Sequence, residues 1–434
     1  MIKGYVERRQ ILEDIFRDSL AAVDPYEMTL SVLRGINVDG YRHIYVVGFG
    51  KAAFPMARAA ESVLDRKIKT GLVITKEGHI PEGDHLRVIE ALEASHPVPD
   101  ERGLKATGRL TALVSRASRD DMVVVLTSGG GSALFVAPVD GVSLKEKQEV
   151  TSLLLNSGAD IGELNTVRKH LSRVKGGRLA EIIYPAKLIN LIVSDVIGDP
   201  LDVIASGPTV PDPTTFEDAV DVLKKYDLLK RVPGTVRYYL ESGVRGEVKE
   251  TPKSGSKVFK GVRNIIIGSN RKAIEGARRS ARERGFNVML LTDRLTGEAR
   301  EAGRYLAEKA VEAKRNCDDL PLCMISGGET TVTVKGDGRG GRNTELALSF
   351  ASYIDGMEGL TLLSAGTDGT DGPTDAAGAV VDGNTISRGR EKGVNYREYL
   401  ERNDSYSYFE ITGELLKTGP TGTNVMDIQI ILVE

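Results

Sequence analysis

The chain has 434 residues, 41% hydrophobic and 27% charged, with a formal net charge of −3 from 58 basic and 61 acidic side chains. That length exceeds one ordinary core, so two domains are expected, and the interspersed charge gives no footprint for nucleic acid or a membrane surface. No apolar run reaches the ~18 residues of a membrane span, and the two cysteines (Cys317, Cys323) and five histidines match no zinc or redox spacing.

The opening MIKGYVERRQILEDIF is charged and amphipathic at once, which excludes a signal-peptide core and favours a cytoplasmic protein. Its Ile11, Ile15, Leu20 and Val23 predict a first helix. A strand over Ile44–Val47 follows, then the turn GFG, then a helix carrying Ala53, Met56, Ala57, Ala60 and Leu64 at helical spacing. Gly71–Thr75 completes a β-turn-α-β unit, and the continuous apolar runs Met122–Leu126 and Leu188–Val193 read as strands buried on both faces. Alternation of this kind predicts an α/β, doubly wound Rossmann-like domain. The loop Asp195–Thr214 holds four prolines and is too ordered in composition for a bland connector. Polarity rises from Pro233 to Gly261, which places the expected domains at 1–245 and 246–434.

The second half repeats the grammar. Strands are expected at Asn264–Ile267, Val288–Leu291, Leu322–Ile325, Thr331–Val334, Leu360–Leu363 and Asp427–Val433. Helices are expected from about Lys272, from Glu298 and from Asn343, the last burying Leu346, Leu348, Phe350 and Ile354.

Four apolar runs end in glycine-rich turns, in IYVVGFGK, VVVLTSGGGS, LCMISGGETT and LLSAGTDGTD. At the carboxyl ends of strands, such turns let backbone N–H groups approach an anion. GFGKAA (48–53) fits a weak dinucleotide fingerprint with Glu77 as its ribose acid, but Lys51 sets an ammonium beside a helix N-terminus unless an anion is bound there. Ser128, Gly129, Gly130, Gly131 and Ser132 form a second anion cradle or, more plainly, a flexible connector. In NTVRKHLSRVKGG (165–177), Arg173 and Lys175 read as helix-end charges before a glycine cap, whereas Arg168 and Lys169 stay open between structure and function. Asp195, at a strand's carboxyl end, can hold Mg²⁺ or take a proton from a hydroxyl; Asp199 and Asp202 share its loop. Gly327 and Gly328 open a third turn. Arg339 and Arg342 precede a helix that Asn343 or Thr344 could cap, and they oppose its dipole unless an anion intervenes. Asp368, Asp371 and Asp375 compete between metal or ribose binding and repeated Asx-turns.

Together GFGKA, SGGGSAL, NTVRKHLSRVKGG, SDVIGDPLDVIASGPTVPDPT, SGGETTVTV, GRGGRNTELAL, SAGTDGTDGPTDAAGAVVD and TGPTGTNVMDI, spanning 48–428, resemble the glycerate 2-kinase family. The resemblance implies a smaller α/β MOFRL-type second domain with a mixed sheet and an active site in the cleft between the two. It implies ATP- and Mg²⁺-dependent phosphorylation of D-glycerate to 2-phosphoglycerate, with a place in branched, non-phosphorylative (Entner–Doudoroff-type) sugar-acid breakdown. Lys51, Asp195 and Arg342 fall on motif positions used around that active site. Phosphates would meet the 128–132 turn, Gly327, Gly328 and Asn343, and the metal would meet Asp195, Asp368 and Asp371. Small-molecule partners only, with a homodimer left open, complete the expectation. The rival reading is an NAD(P)-dependent hydroxypyruvate or tartronate reductase. A non-catalytic sugar-acid or nucleotide-binding regulator would need a DNA-binding or partner module, and none is visible.

Overall fold

The computed structural model describes residues 4–317 and 319–434, so the first three residues of the opening segment lie outside it. It divides into two compact units, Pro25–Ile267 and a second one joining the first 24 residues to Gly268–Glu434.

In the first unit the apolar runs become β1 (Ile44–Phe49), β2 (Ile68–Lys76), β3 (Ile89–Ala94), β4 (Met122–Thr127), β5 (Lys187–Val193) and β6 (Val262–Gly268). They form one sheet ordered β3-β2-β1-β4-β5-β6, with parallel pairing of β1 to β2 and β4, β2 to β3, and β4 to β5. Every residue of β1 and β4 is buried, as continuous apolar strands covered on both faces must be. The helix Ala53–Leu64 buries Ala53, Met56, Ala57, Ala60 and Leu64. Chain order reverses between β1 and β4, and such a switch point opens a crevice at strand carboxyl ends.

The second unit holds β7 (Asn287–Leu295), β8 (Leu322–Gly328), β9 (Leu360–Gly366), β10 (Gly378–Asp382), β11 (Leu415–Leu416) and β12 (Asp427–Val433). Their order is β11-β10-β9-β12-β8-β7, parallel between β7 and β8 and antiparallel elsewhere, so the sheet is mixed as expected. The helix Arg342–Tyr353 buries Leu346, Leu348 and Phe350 completely, and Ile354 beyond it as well.

Several expectations shift. The compact units part after Ile267, beyond the 245/246 boundary, because β6 completes the parallel sheet next to β5. The first helix, Tyr5–Ala21, joins the second unit because its Leu12, Ile15 and Phe16 pack with Ile274, Ala277, Ile428 and Ile430. Thr331–Val334 is no strand: Thr331 forms a single bridge to Glu298, and the polar residues after it gain no partner strand. The basic segment ends its helix at His170, and Gly177 instead opens the next helix at φ 81°. β3 and β10 escape sequence reading, β3 because IEALEA has helical propensity and becomes a strand only by pairing with β2. Among the described residues no helix is long and apolar enough to cross a membrane.

Candidate functional site

The β1 and β4 turns interlock. Lys51 N–H donates to the Gly129 carbonyl (2.8 Å), Ala52 N–H to Ser128 Oγ (3.0 Å), and Ser128 N–H to the Phe49 carbonyl (3.1 Å). Phe49 and Phe135 stack at 4.2 Å, clamping the two turns from below. Gly50 (φ 128°) leaves room only for Ser128, whose Oγ would lie 2.2 Å from an added Cβ. The N–H groups of Gly50, Lys51, Ala52 and Ala53 all have protein acceptors, so this turn cannot cradle a pyrophosphate. Glu77, the candidate ribose acid, pairs with Arg102 at 2.8 Å. Both facts remove the physical basis of the dinucleotide reading.

What the turns do gather is a set of ionisable groups. A Cβ on Gly129 would meet Asp195 Oδ2 at 2.4 Å, and one on Gly130 would meet His96 Cδ2 at 3.0 Å and Lys51 Cγ at 3.4 Å. Asp195, His96 and Lys51 therefore converge on two glycines that have no side chain to block them. Burial raises the Asp195 carboxyl above its ordinary value, and its own backbone N–H, the Lys51 charge and the Gly130 N–H offset this only in part. An ordinary carboxylate value near 4 is thus not what the site provides. Burial, then the Lys51, Lys76 and His79 charges, push the His96 imidazole down to about 4, leaving it neutral at pH 7. His79 Nδ1 lies 3.0 Å from the Lys51 carbonyl and fixes the backbone behind the ammonium. Among the described residues, Lys51 Nζ has no hydrogen-bond or ion-pair partner, and the N–H groups of Gly129 and Ser132 have no protein acceptor.

The 195–214 loop closes back on this turn. Ser132 Oγ and Ser206 Oγ lie 2.9 Å apart, and Ser206 donates to Asn165 Oδ1 at 3.0 Å. Ala205 and Ser206 both hold left-handed backbone (φ 51° and 62°), at a cost of about 1 kcal/mol each, braced by Gly176 N–H to the Ser206 carbonyl. Lys169 is buried against Asp212 (3.4 Å) and Asp202 (3.6 Å), a structural pair. Arg173 is half exposed beside Asp140, and Lys175 is completely buried rather than a surface helix-end charge.

The second unit treats its predicted residues differently. Arg342 directs Nε and Nη2 at Asp427 (2.6 and 2.9 Å), and its Nη1 lies 2.7 Å from Glu329. Burial alone would lower the guanidinium pKa, but Asp427 and Glu329 outweigh it and hold it above its usual value. The anion that the helix N-terminus seemed to need from a ligand is thus internal. Arg339 instead lies over the Tyr406 ring at 4.4 Å. Asp371 accepts from Asn343 N–H (2.9 Å), Thr344 N–H (2.8 Å) and Thr344 Oγ1 (2.8 Å), so it caps the helix in place of Asn343 or Thr344. Asn343 is buried, its Oδ1 accepting from Ser364. Gly327 and Gly328 end β8, where a Cβ would strike Asn270 Oδ1 (2.0 Å) or the Leu295 carbonyl (2.2 Å); close packing accounts for both. At each of these positions the fold itself supplies a partner or a close packing contact.

Asp368 accepts from Thr370 in an Asx-turn through one oxygen, and the other has no partner among the described residues. Among the described residues no three His, Cys, Asp or Glu side chains cluster to hold a metal. Asp371 is fully engaged, while Asp195 and Asp368 retain acceptor capacity. Either carboxylate alone would leave most of a cation's ligands to phosphates and water, the arrangement Mg²⁺ commonly takes, and not a protein cage. Sequence reasoning missed His96, His79, Asn165 and Ser206; the only local signal was the left-handed turn that ASGP invites.

A family model described as a domain of unknown function (DUF4147) matches residues 11–241, and a MOFRL family model matches 322–427. The chain is 48% identical to the D-glycerate 2-kinase of Thermotoga maritima, over 98% of each chain. It is 44% identical to the glycerate 2-kinase of Pyrococcus horikoshii, over 98% of this chain and 97% of that one. A putative hydroxypyruvate reductase of Agrobacterium vitis is 43% identical, over 99% and 95%. The crystal structure of the Thermotoga maritima glycerate kinase superposes with a TM-score of 0.91, at 47% identity, covering 99% of this chain and all of that one. With two domain models matched in order and full-length relatives well above 30% identity, the chain belongs to the glycerate 2-kinase family, a DUF4147 domain followed by a MOFRL domain.

Proposed function

We propose that this chain transfers the γ-phosphoryl group of ATP to the 2-hydroxyl of D-glycerate, giving 2-phosphoglycerate and ADP. The carrying observation is the unpartnered Lys51 ammonium beside the partly buried Asp195 at Gly129–Gly130. Phosphoryl transfer is loose and places charge on the equatorial oxygens, so fixed cations and donors do most of the work. Lys51 neutralises that charge, and the free N–H groups of Gly129 and Ser132 bind phosphate oxygens. Asp195 orients the 2-hydroxyl and accepts its proton late in the transfer; its raised pKa makes it a better base than an ordinary carboxylate. Neutral His96 adds no competing charge beside Lys51. Arg342 enters the proposal with the second hydrogens of Nη1 and Nη2 uncommitted, which is enough to contact one anionic oxygen. Mg²⁺ would supply charge neutralisation for the nucleotide phosphates, and Asp195 in the first unit and Asp368 in the second each keep acceptor capacity for such an ion. A cytoplasmic location, a homodimer and a place in non-phosphorylative sugar-acid breakdown belong to the same proposal and rest on the family.

The name of the Agrobacterium relative keeps a reductase in view as the second reading. The test measures ADP release with D-glycerate beside NADH oxidation with hydroxypyruvate, and identifies the phosphorylated carbon by NMR. NADH turnover without ADP release would overturn the kinase reading, and a 3-phosphorylated product would overturn the regiochemistry.

A further inference from the structure

One cationic group in the first unit has no role in the chemistry above. Arg168 lies in the last turn of the helix Ile161–His170, half-buried, and among the described residues its guanidinium meets no carboxylate and donates no hydrogen bond. Lys175 is 0% exposed, and its one contact is a long 3.5 Å approach to the Ala205 carbonyl. Lys147 is also buried, but it donates to the Arg168 and Leu171 carbonyls (3.0 and 2.8 Å), where a cation complements a helix end. Three cations thus share one neighbourhood, and only Lys147 is well satisfied.

Burial, then the Arg168 and Lys147 charges, push Lys175 well below its ordinary value, and burial lowers Arg168 too. Like charges left together in a poorly solvated place need an anion to offset them. The opposite arrangement stands next door, where Lys169 is matched by Asp202 and Asp212.

Position links this cluster to the candidate site. Asn165 precedes Arg168 by three residues, so the two share one helix face, and Asn165 accepts from Ser206, which contacts Ser132 of the glycine turn. Ala205, which Lys175 approaches, lies 3.0 Å from where a Gly131 Cβ would be. The Arg168 face therefore looks toward the turn that Asp195 abuts from the other side.

We propose that Arg168, backed by Lys175, binds the carboxylate of the hydroxy-acid substrate; the inference rests on the kinase reading above. In a 2-hydroxy acid the carboxylate is one bond from the carbon whose hydroxyl Asp195 addresses, so its counter-cation belongs to the same small site. A guanidinium fork matches a carboxylate with two parallel hydrogen bonds. The Arg342 fork is already closed on Asp427, whereas that of Arg168 is open.

Steady-state kinetics of Arg168→Ala and Arg168→Lys, with D-glycerate and ATP varied separately, test this. The KM for D-glycerate should rise at least about thirtyfold in Arg168→Ala, the KM for ATP should stay within about threefold, and lysine should recover only part of the loss. Glycerol, a triol without the carboxylate, supplies a second readout: the preference of the parent protein for D-glycerate over glycerol should collapse in the variant. A rise in the KM for ATP alone would make Arg168 a phosphate contact and overturn the assignment, as would unchanged constants or retained discrimination. Should Arg168→Ala fail to fold, Arg168→Lys and Arg168→Gln carry the same comparison. Calorimetric binding of D-glycerate without ATP separates the two readings: a parent that binds D-glycerate but releases no ADP fails the kinase reading alone, and equal binding by Arg168→Ala fails the subsite.

Discussion

The carboxyl ends of β4 and β8 carry nearly the same sequence signal, an apolar strand, a glycine pair and nearby cations, yet they use their charges in opposite ways. At β4 the glycines admit Asp195, His96 and Lys51 to one point, and among the described residues neither Lys51 nor Arg168 is closed in a hydrogen-bonded ion pair. At β8 the glycines admit Asn270 and β7, Arg342 is closed on Asp427 and Glu329, and Asp371 caps the adjoining helix. A cation matched inside the fold stabilises it; an unmatched one at a strand's carboxyl end is available to a ligand. The distinction is invisible in residue type and depends on the nearest carboxylate.

The sharpest break of the comparison is Lys51→Ala. Its ammonium meets no hydrogen-bond acceptor among the described residues, so stability should change by less than about 0.5 kcal/mol. Turnover with D-glycerate should fall at least about a hundredfold, since a removed charge donor costs about 2.7–4 kcal/mol of transition-state stabilisation. A folded variant with parental turnover would remove Lys51 from the mechanism.

Asp371→Ala should do the reverse, lowering stability by about 2 kcal/mol through the loss of a buried cap that accepts from Asn343 and Thr344. Burial, opposed by those donors, raises Asp371 from 3.8 to about 6. A carboxyl raised in the folded state contributes stability that is full below its unfolded value and is lost as pH rises through the folded one. The gap in melting temperature between parent and variant should therefore be widest near pH 4 and narrow by about pH 7. A gap that widens with pH would refute the assignment.

Arg342→Lys lies between these cases. Lysine cannot reproduce the fork on Asp427, so the variant should lose a few degrees of melting temperature and about tenfold in kcat/KM. Parental kinetics with a lowered melting temperature would make Arg342 purely structural and widen the contrast between the two strand ends.

The smallest expected effect is in the pH profile. The acidic limb of kcat/KM should lie above the ordinary carboxylate range, because burial raises Asp195. The Lys51 charge favours the ionised form, so residual activity of Lys51→Ala should show that limb at higher pH. A limb that stays in place would dissociate the two groups.

Much of this molecule could be read locally. Apolar continuity located β1, β4, β5 and β12, because a strand buried on both faces needs no polar alternation. All four glycine turns follow strands, as the sequence suggested, at the ends of β1, β4, β8 and β9. β3 is not legible because its residues favour helix in isolation, and the apolar face of the first helix does not by itself reveal that it covers the second unit's sheet.

By itself the sequence determined the element types, the glycine-turn positions and the family, all of which depend on short-range periodicity and on motif order. Tertiary structure alone decided which charges are matched. Arg342 and Asp427 are 85 residues apart, Asp371 caps a helix 28 residues before it, and Ser206 reaches Ser132 across 74. Electrostatic partners are chosen by distance in space, and at such separations only the folded sheets bring them within hydrogen-bond reach or, for Lys51 and Arg168 among the described residues, leave them without a hydrogen-bonded one.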